Sequence, residues 1–282
     1  MAGFTFPKTP LACMLYSAAG TGKTIATTTL LKIPELKVRY LCLESNSMPA
    51  IAEGLDIHNI TELTKGQLTI ATPKGSGINN ADTYMDQTDD SFYQAIIKSA
   101  IMNYAGVDVA TGEDVKYGQM LTWGKDVCLV IDGLTMLQYA CANRGRVVSL
   151  KRNNDKSNPL SEFYMGQDTL IGTIYQLMQS FKGHIVILAH ETQSVEVARK
   201  KYRNLTEIHP ALGTRSIVSP FLGRFTNVFY QRRNIQTNKF VWSVAQPGVY
   251  TVSRNIKIPT GRRGVNLDNL PPDFSDEIYS FF

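Results

Sequence analysis

The chain has 282 residues, 43% of them hydrophobic and 19% charged, with a formal net charge of +5. These proportions fit a globular, soluble protein, and the length suits one large α/β domain or two small ones. There is no apolar run of about 18 residues, so no transmembrane helix is expected, and the N-terminus lacks the charged-then-apolar layout of a signal peptide. The expected location is therefore the cytoplasm, without a membrane partner. Four cysteines, at 13, 42, 128 and 141, form no C-x-x-C pair, and the four histidines show no ligand spacing. Core packing is the expectation for these thiols, rather than metal binding or disulfides. The mild positive charge is compatible with a polyanionic partner without requiring one.

In chain order, the first apolar run is Leu11-Ala12-Cys13-Met14-Leu15-Tyr16. It leads into Ser17-Ala18-Ala19-Gly20-Thr21-Gly22-Lys23-Thr24, close to the phosphate-loop pattern G-x-x-x-x-G-K-[ST], and a helix-compatible run follows over 23–31. Strand, loop and helix form the context in which this pattern holds a nucleoside triphosphate. Gly20 and Gly22 let the backbone close around a phosphate with no Cβ in the way. Successive N–H groups then form an anion nest at the positive end of the helix. Lys23 brings a compact cation to the β/γ-phosphates, and Thr24 offers a hydroxyl to Mg²⁺. Ser17 stands where the first glycine is usual, and a small residue suits that turn.

The second apolar run, 38–43, ends at Glu44. In a parallel sheet the strand C-termini gather at one edge, so Glu44 would reach the phosphate loop, where a carboxylate can act as general base. A shorter run covers 68–71, and 72–90, rich in Gly, Asn and Asp, reads as a surface excursion. Residues 91–104 carry apolar positions at 92, 96, 97, 100, 101 and 104, a helical stripe. The strand over 127–131 ends in Asp132, a Walker B pattern that places a carboxylate near Mg²⁺; an Asp there also serves to cap a following helix. Another helical stripe covers 168–181, and the strand over 185–189 ends in His190-Glu191-Thr192, where His190 can touch the γ-phosphate. Segments 226–232, 239–244 and 249–253 read as antiparallel strands extending the sheet. Strands alternating with helices predict an α/β fold with a mainly parallel sheet. With no linker visible, residues 1–282 read as a single domain.

The order of these features resembles RecA-like ATPases: P-loop, strand ending in Glu, strand ending in Asp, strand ending in a polar sensor. The stretches 40–49 and 54–60 look like the region around the catalytic glutamate of RecA recombinases. The resemblance covers roughly 10–258 and is greatest to the compact bacteriophage Sak-type single-strand annealing and recombination ATPases. It implies a RecA-like P-loop core that hydrolyses ATP with Mg²⁺. Glu44 would match the water-activating residue and Asp132 the Walker B aspartate. His190 would stand where RecA carries a sensor glutamine. It also implies a homo-oligomer, ring or filament, working on single-stranded DNA, with a single-strand DNA-binding protein as a further candidate partner. Residues 253–257 resemble the RecA segment that supplies trans-acting lysines, which makes Arg254 and Lys257 candidates for the neighbour's nucleotide.

Two basic segments follow the strands that carry Asp132 and His190. One holds Arg144, Arg146, Lys151 and Arg152; the other holds Arg199, Lys200, Lys201, Tyr202, Arg203 and, further on, Arg215. In RecA-like proteins the loops after these two strands contact single-stranded DNA. Independently, lysine and arginine neutralise phosphates and Tyr202 can stack on a base. Three rivals share the phosphate loop: a hexameric helicase motor of the DnaB type, a small-molecule or nucleoside kinase, and a nucleotide-gated interaction protein with little turnover.

Overall fold

The computed structural model describes residues 10–73, 90–98, 102–154, 156–197, 204–212, 215–243, 249, 252–253 and 272–273. Its elements in chain order are β1 (Ala12–Ser17), α1 (Lys23–Thr28), β2 (Lys37–Cys42), α2 (Ser47–Ile57), β3 (Leu68–Ala71) and α3 (Ser91–Ile97). Then come β4 (Tyr104–Asp108), β5 (Asp114–Gly118), β6 (Val127–Asp132), α4 (Leu134–Arg152), α5 (Pro159–Ser180) and β7 (His184–Val197). The chain continues through β8 (Asn204–Pro210), α6 (Arg215–Leu222), β9 (Asn227–Arg233), β10 (Phe240–Ser243) and β11 (Val252–Ser253).

The strands form one mixed sheet in the order β10-β9-β1-β7-β6-β2-β3-β4-β5, with β8 paired to β7 and β11 to β9. The run from β9 to β3 is parallel throughout. Antiparallel pairs close both flanks, with β10 and β11 on β9 at one side and β4 and β5 beyond β3 at the other. The fold is thus α/β, with helices on both faces of a mostly parallel sheet and antiparallel strands near the C-terminus.

Continuous apolar strands produce this arrangement because both faces of the sheet are covered. In β1, Cys13 and Leu15 point into one core with Leu30, Val38, Tyr40 and Val186, while Met14 and Tyr16 point into the other with Leu129, Ile131, Leu137 and Ile174. The first core packs under α1 and α2; the second packs under α4, α5 and α6. All four cysteines are buried free thiols, Cys13, Cys42 and Cys128 in the apolar runs and Cys141 on α4. Burial pushes the thiol pKa of Cys42 and of Cys141 up to about 12 in each case, so they behave as small hydrophobes.

Three stretches differ from the sequence expectation. The helix expected over 91–104 is α-helical only to Ile97; Lys98 and Met102 are π-helical, with the Asn103 N–H donating to the Lys98 carbonyl at 2.8 Å, and Tyr104 opens a strand instead. The Tyr104 hydroxyl donates to the carbonyls of Tyr40 at 2.8 Å and Thr69 at 3.0 Å, so its buried phenol closes the seam between β2 and β3. The first basic segment is helix, not loop: α4 runs unbroken to Arg152 and packs against α5, whose Asn158 cap accepts from the Ser161 N–H at 3.1 Å. A Cβ on Gly145 would collide with the Gly166 backbone, so the two helices approach as closely as glycine permits. Finally, β7 does not end at Ala189. It continues through His190 to Val197 and leaves the central sheet as one arm of a hairpin with β8.

Candidate functional site

Parallel order brings the decisive strand ends to one edge of the sheet. Ser17 is the last residue of β1 and stands in register with His190 of β7. Cys42, two residues before Glu44, is in register with Asp132, the last residue of β6. The phosphate loop, Glu44, Asp132 and His190 therefore line one open cleft of about 500 Å³, which Glu53 and Phe240 also border.

The loop between β1 and α1 has the conformation the motif requires. Gly20 and Gly22 take positive φ angles, 71° and 79°, which only glycine adopts without strain. Ser17 remains in extended strand geometry and is fully buried, so the missing first glycine is not needed there. Its hydroxyl is hydrogen-bonded to that of Thr21 and accepts from Lys23 Nζ at 3.1 Å. Lys23 Nζ also donates to the carbonyls of Ala18 at 2.9 Å and Ser17 at 3.3 Å. The ammonium thus lies inside the loop it would share with a phosphate, alongside Ala19 and Thr21. Burial lowers the Lys23 pKa, and the carboxylates of Glu44, Asp132 and Glu191 act against that shift.

Thr24 donates its hydroxyl to Asp132 Oδ2 at 2.8 Å, joining the loop to β6. The Asp132 residue is 4% exposed, and burial raises its pKa against the Thr24 hydrogen bond, which lowers it. Glu44 is half-buried, with Oε1 at 3.2 Å from His190 Nε2. That hydrogen bond is the main cause holding the Glu44 pKa below its ordinary value; burial opposes it, while His190 and Lys23 charge reinforce it. His190 is therefore a partner of Glu44, set in mid-strand rather than in a loop.

The donor set fits a hard divalent cation. One hydroxyl and one carboxylate oxygen meet at the mouth of the phosphate loop, the sparse protein contribution expected of Mg²⁺ that keeps waters and phosphate oxygens as its other ligands. The charge balance agrees. Among the described residues, Glu44, Glu53 and Asp132 line the cleft with Lys23 and His190, and three carboxylates are unfavourable to a bare triphosphate. Among the described residues, no cluster of His, Cys, Asp and Glu offers a closed all-protein metal site.

A support that motif reading missed comes from β9 and β10. The Gln231 side-chain amide donates to the Thr21 carbonyl of the phosphate loop, and its oxygen accepts from Trp242 Nε1 at 2.7 Å. Gln231 and Trp242 are both buried, and the Phe240 ring passes 3.8 Å from where a Gly22 Cβ would stand. The only signal in the sequence was a polar residue, Gln231, directly after the apolar run Val228-Phe229-Tyr230.

The basic candidates divide. Arg144 and Arg146 lie on α4 and engage carboxylates, Asp90 at 2.5 Å and Glu162 at 3.8 Å. Lys151 and Arg152 are exposed in the last turn of α4, where cations also favour the helix dipole. Arg215 opens α6. Arg199, Lys200, Lys201, Tyr202 and Arg203, together with Arg254 and Lys257, lie outside the described residues. No helix among the described residues is long and apolar enough to cross a membrane. No protein-family model matches the chain, and no curated protein matches it in sequence.

Proposed function

We propose that this chain is a Mg²⁺-dependent ATP hydrolase with a RecA-like core, acting as a homo-oligomer on single-stranded DNA in phage recombination or annealing. The observation that carries the hydrolase reading is the meeting of three strand ends, those of β1, β2 and β6, with mid-strand His190 of β7 at one cleft. The phosphate loop, the Thr24–Asp132 hydrogen bond and the Glu44–His190 pair all open onto it.

In this reading the loop N–H groups and Lys23 hold the β- and γ-phosphates, and Lys23 exchanges its carbonyl partners for phosphate oxygens. Mg²⁺, when bound, neutralises charge on the β/γ-phosphate oxygens. Asp132 and Thr24 are the residues that would hold it. Glu44 accepts a proton from the water that attacks the γ-phosphorus. The bond to the β–γ bridging oxygen breaks, leaving ADP and inorganic phosphate. His190 holds the Glu44 carboxylate ionised and aimed until substrate arrives.

The DNA reading rests on the second basic segment. Residues 198–203 connect β7 to β8, and β7 itself carries His190. A phosphate backbone gripped there would attach to the same strand that orients Glu44. The deciding experiment measures ATP hydrolysis with and without single-stranded DNA, beside particle shape in negative stain. Stimulation together with rings or filaments supports the proposal. Phosphate transfer to a nucleoside without DNA stimulation would sink it in favour of a kinase. Robust strand unwinding would favour the helicase motor.

A further inference from the structure

A second concave site lies at the opposite edge of the sheet, where β2 and β6 begin. Lys37, Arg39, Lys65, Tyr117, Trp123 and Asp126 border a cavity of about 400 Å³ there. Arg39 is its unusual member. It sits inside β2 with only 3% of the residue exposed, at a strand position that apolar packing alone would fill with a hydrophobic residue. One terminal nitrogen, Nη1, donates to the carbonyls of Gly66 at 2.6 Å and Val38 at 3.3 Å. The guanidinium carbon lies 4.0 Å from the centre of the Tyr117 ring. No carboxylate among the described residues is within ion-pair distance of it; Asp108 and Asp126 act only at longer range. A guanidinium has five N–H donors, and here those on Nε and Nη2 have no hydrogen-bond partner among the described residues.

The other two cations are differently held. Lys37 pairs with Asp126 at 2.7 Å and Lys65 with Glu113 at 2.8 Å, and both lysine side chains are more than half exposed. Such surface pairs are weak and re-form readily with a better anion. Trp123 forms an apolar wall, held by its Nε1 donating to the Tyr117 carbonyl at 3.0 Å.

We propose that this cavity is a phosphate-binding site separate from the phosphate loop, with Arg39 as its fixed anchor and Lys37 and Lys65 closing on the same anion. A buried guanidinium with open donors matches the paired oxygens of a phosphate, and the volume admits a phosphate with a small group attached. The phosphate belongs either to a small ester or to a nucleic-acid strand.

The two tryptophans of the chain give the test a separate reporter for each site. Trp123 borders this cavity, and Trp242 braces the phosphate loop through Gln231. Pyrophosphate is titrated into Lys23→Ala protein, whose phosphate loop is disabled, while the two indole N–H resonances are followed. The Trp123 signal is expected to move and that of Trp242 to stay. Arg39→Met is expected to weaken the titration about ten-fold or more, and the double variant Lys37→Met/Lys65→Met several-fold. A Trp123 signal that does not move up to millimolar pyrophosphate overturns the proposal. So does an affinity unchanged in folded Arg39→Met protein. Should Arg39→Met not fold, the lysine double variant decides, and an unchanged affinity there overturns the proposal. A single-stranded oligonucleotide that reproduces the Trp123 shift identifies a nucleic-acid strand as the source; a shift with pyrophosphate alone identifies a small phosphate ester.

Discussion

The two sides of the cleft carry the same chemical group with its pKa shifted in opposite directions. On one side Asp132 ends β6, nearly sealed from water, and burial drives its pKa up. On the other, one strand away, Glu44 is half-buried and its contact with His190 drives its pKa down. Burial acts on both; a strong hydrogen-bond partner outweighs it on only one. The first environment suits an oxygen waiting for a cation, the second a carboxylate that stays ready to take a proton. Gly133 permits their closeness. Its φ is 117°, and a Cβ there would come within 2.9 Å of Glu44 Cγ and 3.1 Å of Leu43 Cβ.

The contrast breaks if the two carboxylates prove interchangeable. Glu44→Gln keeps the shape and removes the base, so ATP hydrolysis is expected to fall by about 10³-fold, within the usual range for a general base. Affinity for ATP with Mg²⁺ should stay within a few-fold. Asp132→Ala should invert the pattern: Mg²⁺-dependent nucleotide binding weakens by about 10²-fold, and turnover falls because the site is not filled. Calorimetric titration with single-turnover hydrolysis separates the two. Equal losses of binding in both variants would show that the sides share one role.

The contrast sharpens when the support on the far side of the phosphate loop is removed. Gln231→Leu strands the Thr21 carbonyl and the buried Trp242 N–H at once. The loss of these two hydrogen bonds, one buried and one part-buried, is expected to lower stability by about 1–3 kcal/mol, measured by denaturant unfolding. Nucleotide affinity should drop roughly ten-fold, the effect of about 1.4 kcal/mol at the loop. The rate of the bound complex should be close to wild type, because neither Glu44 nor Asp132 touches this relay. A changed rate with unchanged affinity would assign Gln231 to the chemistry instead.

The legible parts of this molecule were those where one local pattern decides. Continuous apolar runs marked β1, β2, β3 and β6 to within a residue or two, because burial on both faces favours apolar residues at most of their positions. The turn over 17–24 was legible because Gly20 and Gly22 answer to its backbone geometry, both with positive φ. Where tertiary contacts decide, the pattern misled. Tyr104 lies on the helical stripe expected over 91–104, yet its phenol is claimed by two carbonyls of neighbouring strands. Strand β5 alternates half-buried and exposed residues at a sheet edge and carries almost no apolar signal. Helix α4 reads as a charged segment because its arginines pair with Asp90 and Glu162, which are distant in sequence or across a helix boundary. Nothing local announces that Gln231 reaches Thr21, 210 positions away.

The smallest expected effect is the most specific to the contrast. His190→Ala removes the main cause that lowers the Glu44 pKa and leaves burial, which raises it, opposed by Lys23 alone. The Glu44 pKa therefore rises. The acid limb of kcat/KM, which reports ionisations of the free enzyme, should move to higher pH, while the rate at neutral pH changes only a few-fold. His190→Gln, with an amide N–H in reach, should leave the limb near its wild-type position. Stability follows the same linkage. A carboxylate whose folded pKa is depressed adds stability above its unfolded value of about 4.3, and that stability fades as pH falls through the lower folded value. Wild-type protein should thus keep an advantage over His190→Ala above that window and lose it below, as seen in thermal midpoints measured across pH. An acid limb that does not move in His190→Ala would mean that the half-buried position of Glu44, and not its partner, sets its charge, and the two sides of the cleft would then differ by burial alone.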